Sequence, residues 1–147
     1  MRSNEISAGQ LPPLLRKCWM RLNAIFQKRI GEVGLTPDQY IALRWLHELP
    51  LGTVYQLTLK NLMFTDPNNV AGLMSRMERL ELIERKVDPL DRRRKLVFCT
   101  SKGRNLFEQG RKIAVRLEEE ALSILDTEER AEFLGLLGAI NQHFYPG

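Results

Sequence analysis

A change of periodicity near the middle of the chain constrains the fold more than any other feature of the sequence. Up to Leu80, apolar residues recur every three or four positions, which predicts amphipathic helices. Residues 83–87 and 95–99 are instead short, roughly alternating segments with β-branched or aromatic side chains, which is typical of strands. The turn formers of residues 88–91, Asp-Pro-Leu-Asp, lie between them. The pattern therefore predicts one β-hairpin within an otherwise helical chain.

Helix start signals and apolar periodicity together predict six helices around this hairpin. Such a signal is a capping side chain followed by Pro at the first helical position, or by Gln or Glu three residues after the cap. Thr36, Thr53 and Asp126 each begin a capping-box spacing, and Asp66 precedes a proline. The predicted helices cover approximately residues 11–30, 36–49, 53–63, 66–80, 100–125 and 126–144.

Three short central helices followed by a basic hairpin are the parts of a winged helix-turn-helix. The predicted fold class is therefore mainly α with a small β-hairpin wing, in the order α-α-α-α-β-β-α-α. We expect residues 1–147 to form a single domain. Within it, residues 36–100 would form the winged helix, and residues 8–34 and 101–147 a helical dimerisation part.

The long helices at the two ends carry more apolar residues than one small domain needs. One interpretation is a helical core within a single chain. The other, which we favour, is that the two ends pack together and against a second copy, because helix-turn-helix proteins commonly dimerise to read two half-sites. The residues expected at that interface are Leu11, Leu14, Leu15, Leu137, Ile140 and Phe144.

The positive charge of the chain is concentrated in one segment. Residues 66–104 hold ten Lys or Arg and six Asp or Glu, and the remainder of the chain is balanced, although the net charge is only +4. A local basic patch is expected of a protein that binds the phosphate backbone of nucleic acid. The alternative is an uneven solvated surface.

The fourth predicted helix supplies one group of candidate DNA contacts. Asn68 and Asn69 begin it, and an Asn side chain can pair with adenine in the major groove. Both residues serve equally well as turn and cap residues. Arg76 suits guanine or phosphate, or else a surface ion pair with a neighbouring Glu.

The hairpin supplies the second group. We expect Arg93 to point toward DNA, and Arg92 or Arg94 to lie across phosphate or to pair with an aspartate of the turn. A free carboxylate would repel phosphate, so Asp91 is interpreted as a wing brace that orients an arginine. The full DNA-binding set is Asn68, Asn69, Gly72, Ser75, Arg76, Lys86, Arg92, Arg93, Arg94 and Lys95.

No catalytic or metal site is predicted, and no cofactor. His47 and His143 are too few and too scattered for a metal site or a triad. Cys18 and Cys99 form no CxxC pair, which argues against a disulfide framework and a structural zinc site. Cys18 lies on the apolar stripe of the first helix, so we expect it to be buried, and Cys99 to belong to the core.

The sequence gives no sign of a membrane segment. No apolar stretch approaches the ~18–20 residues that a membrane helix needs, and no continuous apolar signal region follows the N-terminus. We therefore expect a cytoplasmic protein.

Three segments resemble the MarR (multiple antibiotic resistance regulator) family. They are residues 35–43, residues 77–85 and residues 91–103, the last with an Asp-x-Arg turn, a strand and Thr-x-x-Gly. The resemblance covers roughly residues 11–145. It implies a homodimer formed by the terminal helices, with each recognition helix in a major groove and each wing in a minor groove. It further implies a regulator, commonly a repressor; many members of the family release DNA when a small, frequently aromatic ligand binds between the dimer helices and the winged domain.

The sequence departs from the family pattern at three positions. Gly72 stands where an Arg is common, Leu90 where the wing turn often has a second Arg, and Glu81 where a Gly is usual. Because a left-handed Glu costs about 1 kcal/mol, we expect the corner at Glu81 to be built differently. The departures at Gly72 and Leu90 leave open a second hypothesis, a winged-helix protein-interaction module with weakened or lost DNA binding.

The resemblance also implies a ligand site near the first and second helices. An aromatic wall with one cation there would suit an aromatic carboxylate, and ordinary core and surface is the alternative. The residues concerned are Trp19, Tyr40, Arg44, Trp45 and His47.

Overall fold

A computed structural model describes residues 9–145 of the chain. Its helices are α1 (Leu11–Ile30), α2 (Pro37–Glu48), α3 (Gln56–Leu62), α4 (Pro67–Arg79), α5 (Ser101–Ala121) and α6 (Thr127–Phe144), with a short 3-10 turn at Gly31–Val33. Two strands, β1 (Ile83–Val87) and β2 (Lys95–Cys99), stand between α4 and α5. The predicted fold class, a winged helix-turn-helix with one hairpin, is confirmed.

The chain forms two compact units, which meet within α5 between Ile113 and Ala114. The first unit contains α1 to α4, the hairpin and the first part of α5. The second contains the end of α5 and all of α6. Single-domain organisation and the division at residues 34–36 and 100–101 stay predictions.

Most of the predicted helix starts are confirmed. Thr36 and Gln39 form the reciprocal capping box of α2, with the Gln39 N–H donating to Thr36 Oγ1 at 3.2 Å. Asp126 and Glu129 do the same for α6. These caps satisfy backbone N–H groups that have no partner within their helices.

The predicted capping box at Thr53 is wrong. The Thr53 hydroxyl donates to the Pro50 carbonyl oxygen at 2.5 Å, so it closes the preceding turn instead of capping α3. The helix begins later, at Gln56, and its N-cap residue Tyr55 makes no side-chain capping bond. Tyr55 instead forms an isolated antiparallel bridge with Leu96, which ties the start of α3 to the hairpin.

The corner after α4 also differs from the expectation. Glu81 adopts the left-handed conformation itself, with φ of 61°, so the prediction of a different corner is wrong. The Leu82 N–H donates to Met77 and the Glu81 N–H to Glu78, which is the Schellman arrangement of a helix end. The Thr100 hydroxyl bonds the Glu81 carbonyl at 2.6 Å, which helps to hold the strained residue.

The core of the first unit lies between α2, α4 and the hairpin. β1 and β2 pair antiparallel with Ile83 opposite Cys99, and this register places Ile83 and Val97 in the core. Gly103 fits because a Cβ there would collide with the Leu82 carbonyl oxygen. The side chains that are almost completely buried are Ile30, Leu43, Leu59, Met74, Met77, Leu82, Ile83 and Val97.

Apolar faces of α1 and α6 are exposed in the single chain. The residues predicted to dimerise are between 37% and 70% exposed, with Leu137 lowest and Phe144 highest. Cys18 is exposed as well, so its predicted burial is wrong for one chain. The reason is that the first half of α1 projects its apolar stripe away from the core of its own unit. Cys99 is half-buried, in line with its predicted place in the core.

Candidate nucleic-acid interface

The start of α4 is held by Asp66 and Asn69. Asp66 Oδ1 accepts the Asn69 backbone N–H at 2.8 Å, and the Asn69 side-chain amide donates to Asp66 Oδ2 at 2.9 Å. Asn69 is therefore used in capping, one of its two predicted roles. The Asn68 side chain is exposed and forms no hydrogen bond with another described residue, so its amide is available to a ligand at the positive end of the helix dipole.

One face of α4 packs and the other is free. Val70, Met74 and Met77 are buried, whereas Ser75 and Arg76 are exposed. Gly72 lies beneath the Arg76 side chain, since a Cβ built at this glycine would be 3.2 Å from Arg76 Nη1. The missing side chain at residue 72 thus leaves room for the guanidinium of the next turn.

The end of α4 is fixed to β1 and α3 by an arginine that sequence reasoning missed. Arg85 Nη2 and Nε donate to the Glu78 carboxylate at 3.0 and 3.3 Å, and Nη1 donates to Gln56 Oε1 at 3.2 Å. The hydrogen bonds from Arg85 lower the pKa of Glu78. The only sign of this contact in the sequence was the opposite charge of Glu78 and Arg85, which lie seven residues apart.

The loop between the strands, residues 88–94, is closed by its own hydrogen bonds. The Asp88 N–H donates to the Arg94 carbonyl at 2.9 Å and the Arg94 N–H to the Asp91 carbonyl at 3.0 Å. Asp88 Oδ1 accepts the Leu90 N–H at 2.9 Å. The Leu90 side chain is 95% exposed, so it contributes nothing to this closure. We call this loop and its strands the wing.

Asp91 orients Arg93 within the wing. Its carboxylate accepts Nε at 3.1 Å and Nη2 at 3.2 Å, while the Arg93 side chain remains 91% exposed. The side-chain hydrogen bond from Arg93 is the largest cause of the lowered pKa of Asp91. Asp91 thus holds Arg93, and not Arg92 or Arg94, the arginines that were expected to pair with an aspartate of the turn if they did not lie across phosphate. The role of Asp91 as a brace for DNA binding stays a prediction.

The other wing cations take different positions. Arg92 and Lys95 are exposed. Lys86 Nζ lies 5.0 Å from the centroid of the Phe98 ring. Arg94 is stacked on a tyrosine, with its Cζ only 3.6 Å from the centroid of the Tyr55 ring.

A groove of about 290 Å³ runs between the wing and helices α3 and α4. Four cationic side chains line it and no carboxylate does. Lys60 of α3 is one of the four, and sequence reasoning missed it because it lies outside the basic segment. The lining residues are Tyr55, Gln56, Leu57, Lys60, Pro67, Val70, Arg93, Arg94 and Lys95.

The predicted ligand residues do not form one site in the first unit. Tyr40 is buried, with ring centroids 5.3 Å from Phe26 and 5.6 Å from Phe107, and burial raises its pKa. Arg44 bonds Glu48 at 2.9 Å and has its Cζ 5.4 Å from the Trp45 ring centroid.

The other two predicted ligand residues, Trp19 and His47, differ in their surroundings. Trp19 is 57% exposed on α1. His47 packs on Phe107, with their ring centroids 4.8 Å apart.

A cavity of about 250 Å³ opens instead beside the C-terminal end of α2. His47 is the only one of the predicted ligand residues that lines it. Phe98, Cys99, Arg104 and Phe107 supply much of the rest of the wall, with the loop before α3. Burial raises the pKa of the Cys99 thiol. The cavity combines an apolar wall with one guanidinium.

Two kinds of site are missing from the described part of the chain. Residues 9–145 contain no cluster of His, Cys, Asp or Glu that could hold a metal ion. None of the helices between these limits is both long enough and apolar enough to span a membrane.

Comparison with known proteins extends this picture, although no family model matches the chain. The transcriptional repressor NicR of Pseudomonas putida is 31% identical over 128 residues, which are 87% of this chain and 80% of that protein.

Solved structures of two regulators share the fold. BpsR of Bordetella bronchiseptica, whose structure addresses how 6-hydroxynicotinic acid regulates its DNA binding, matches with a TM-score of 0.80 and 30% identity, covering 90% of this chain and 98% of BpsR. Escherichia coli MarR matches with a TM-score of 0.75 and 21% identity, covering 88% of this chain and 95% of MarR. The chain therefore belongs to the MarR family of winged helix-turn-helix transcriptional regulators.

Proposed function

We propose that the protein is a homodimeric repressor that binds duplex DNA through α4 and the wing and leaves it when a small aromatic anion binds. The observation that carries DNA binding is the groove beside α4, which cations line without any carboxylate. Such a surface attracts the negative charges of a phosphate backbone and repels cationic partners.

The contacts divide between bases and backbone. Asn68, Ser75 and Arg76 are exposed on α4 and would reach base edges or phosphates in the major groove. In the wing, the exposed Arg93, held by Asp91, would enter the minor groove. The phosphate contacts would come from Lys60, Lys86, Arg92 and Lys95, and Gly72 would give Arg76 its room.

The dimer rests on the exposed apolar faces of α1 and α6. Large side chains such as Leu14 and Ile140 are 59% and 44% exposed in one chain. Large apolar side chains exposed along the face of a helix are typical of a protein interface. A second copy is the partner that fits best, because a two-fold dimer would present two recognition helices to two half-sites.

The effector site that the structure supports best is the cavity at the end of α2. Its apolar wall and Arg104 suit a small aromatic carboxylate. Val54 before α3 and Phe98 of β2 both line it, so a bound ligand would touch the helix-turn-helix and the wing together. The regulation of BpsR by 6-hydroxynicotinic acid supports this class of ligand.

DNA binding is tested by selecting duplexes from a randomised pool and then measuring the affinity for the most enriched duplex at increasing salt concentrations. Several phosphate contacts should make the logarithm of affinity fall steeply and linearly with the logarithm of salt concentration, with a slope of about −0.9 per contact. A flat dependence, or no enriched sequence, would contradict the proposal and favour the protein-interaction module.

The effector is tested by thermal shift with 6-hydroxynicotinate and benzoate. We expect a raised Tm for the wild type, no shift for Arg104→Ala, and an unchanged shift for Arg111→Ala. Arg111 is a matched control because it lies on the same helix and pairs with Glu108. Failure of both compounds to raise the Tm, or an equal shift in Arg104→Ala, would count against this cavity.

A further inference from the structure

Tyr55 connects the start of α3 to both ends of the wing loop. Its hydroxyl donates to Asp88 Oδ2 at 2.9 Å across 33 residues of sequence. Its ring lies beneath Arg94, whose Cζ is 3.6 Å from the ring centroid. Asp88 and Arg94 are the residues whose N–H···O=C bond closes the loop, so one side chain holds both sides of the closure.

The aspartate end of this contact is buried and charged. Asp88 is only 6% exposed. Among the described residues, Gln39 is the only other buried polar residue. A buried carboxylate is costly unless it is hydrogen-bonded. The Leu90 N–H and the Tyr55 hydroxyl supply two bonds, one to each oxygen. The loop can therefore leave Tyr55 only by giving up one of the two bonds that make its buried charge tolerable.

The arginine end is a stacked cation. A guanidinium this close to an aromatic face is attracted by the ring quadrupole, and Arg stacks in this way better than Lys. Arg94 forms no salt bridge within the described residues, although its charge helps to lower the pKa of both Asp88 and Asp91. Its guanidinium stacks instead on Tyr55, which belongs to another element of the fold.

We propose that Tyr55 positions the wing against α3, and that Arg94 acts in DNA binding through its contact with Tyr55 rather than as a phosphate contact of its own. Arg92 and Arg93 project from the loop that Tyr55 holds, so a wing released from Tyr55 would carry them away from their places on DNA. This inference rests on the proposed DNA binding.

Because Tyr55 is uncharged, its substitution tests the position of the wing without changing the net charge of the protein. Tyr55→Ala removes no charge, so any loss of salt dependence must come from cations that have lost their places. We expect Tyr55→Ala to weaken binding to the selected duplex about fivefold or more, and to reduce the salt slope by about 1 or more. The same change at the exposed Tyr145 is the control and should alter neither quantity.

A double-mutant cycle separates positioning from direct contact. Tyr55→Ala combined with Arg94→Ala should bind no worse than the weaker single variant, because both break one contact. Tyr55→Ala combined with Lys60→Ala, a cation outside the wing, should show losses that multiply. Multiplied losses in the first pair, or a Tyr55→Ala protein with full affinity and an unchanged slope, would overturn the inference.

A second variant keeps the inference testable if Tyr55→Ala does not fold. Arg94→Lys keeps the charge on an exposed residue but loses the planar stack. If Arg94 works through Tyr55, Arg94→Lys should lose about as much affinity as Arg94→Ala; retained affinity would show a plain phosphate contact. If the wild type selects no duplex at all, the proposed function itself fails, which is a different result from a normal wild type with unaffected variants.

Discussion

Asp91 and Arg93 form a two-point contact within the wing loop, with Oδ1 accepting Nε at 3.1 Å and Oδ2 accepting Nη2 at 3.2 Å. Oδ1 also accepts the Arg93 backbone N–H at 3.1 Å. The carboxylate therefore fixes both the backbone and the guanidinium of Arg93, whose side chain is 91% exposed.

Asp91→Asn distinguishes two effects of the Asp91 carboxylate on DNA binding, the orientation of Arg93 and the repulsion of phosphate. Charge alone predicts tighter DNA binding, because a repulsive carboxylate is removed. A brace predicts weaker binding, by about threefold, because Arg93 loses its fixed direction. Glu84→Gln on β1 removes an exposed carboxylate from the same hairpin and should leave affinity unchanged or slightly raise it. Mobility-shift titrations measure both, and tighter binding by Asp91→Asn would refute the brace.

The wing aspartates predict a response to acid. The Leu90 N–H and then the Tyr55 hydroxyl lower the pKa of Asp88 below its ordinary 3.8. Since the folded pKa is lower than the unfolded one, the stabilisation is complete above the unfolded pKa and is lost as pH falls through the folded pKa.

Asp88→Asn should therefore be less stable than the wild type at neutral pH, with a difference that shrinks below about pH 4. Urea denaturation at several pH values measures the difference in the free energy of unfolding. A difference that stays constant from neutral pH to pH 2 would contradict the assignment.

Gly72→Ala should separate stability from DNA binding. Replacing a helical glycine by alanine stabilises a helix by about 0.5–1 kcal/mol. The new Cβ would press on Arg76 Nη1, and the flexible guanidinium would move, so DNA affinity should fall. The matched control is Gly31→Ala, where a Cβ meets nothing within 4 Å. Denaturation and mobility shift together measure the two effects, and unchanged DNA affinity would remove Arg76 from the interface.

Gly103→Ala should destabilise the first unit by about 2–3 kcal/mol. The added Cβ would strike the Leu82 carbonyl, a backbone atom that also accepts the Thr100 N–H at 3.1 Å and so cannot easily move. Ser101→Ala, in the same turn but exposed, is the control. Chemical denaturation measures both, and a loss of less than about 0.5 kcal/mol would show that the turn relaxes.

Leu137→Glu should convert the proposed dimer into a monomer, because a charge would be buried in an apolar interface. Gln142→Glu adds the same charge to the same helix outside the predicted interface set and should leave the dimer intact. Sedimentation equilibrium measures the mass of each. A wild type that is already monomeric at micromolar concentration would contradict the dimer.

Local signals in the sequence were enough to predict the elements but not how they are joined. Caps such as Thr36 act within three residues, and the hairpin follows from alternation and turn chemistry, so both could be read directly. Thr53 had the same spacing as a cap, yet its hydroxyl bonds backward to Pro50. At Glu81 the usual cost of a left-handed residue was outweighed by the helix end and by Thr100.

Many residues of the site could be predicted from the sequence, but the contacts between them could not. The basic segment pointed to the wing, but the stacking of Arg94 on Tyr55 joins residues 39 positions apart, and no periodicity reports such a pair. Lys60 joins the cationic groove only through the folded path of α3. The predicted burial of Cys18 is wrong for a related reason. An apolar stripe predicts that a helix face packs against something, but it does not say whether the partner belongs to the same chain.

The self-closed wing loop has a thermodynamic consequence. Fixing the backbone of a residue costs about 1–2 kcal/mol of conformational entropy, and a loop that orders only on DNA must lose that entropy during association. In residues 88–94 the bonds from Asp88 to Arg94, from Arg94 to Asp91 and from Leu90 to Asp88 already hold the backbone in the free protein. The wing thus arrives preorganised, and calorimetry of DNA binding should show little of the entropic cost that accompanies coupled folding.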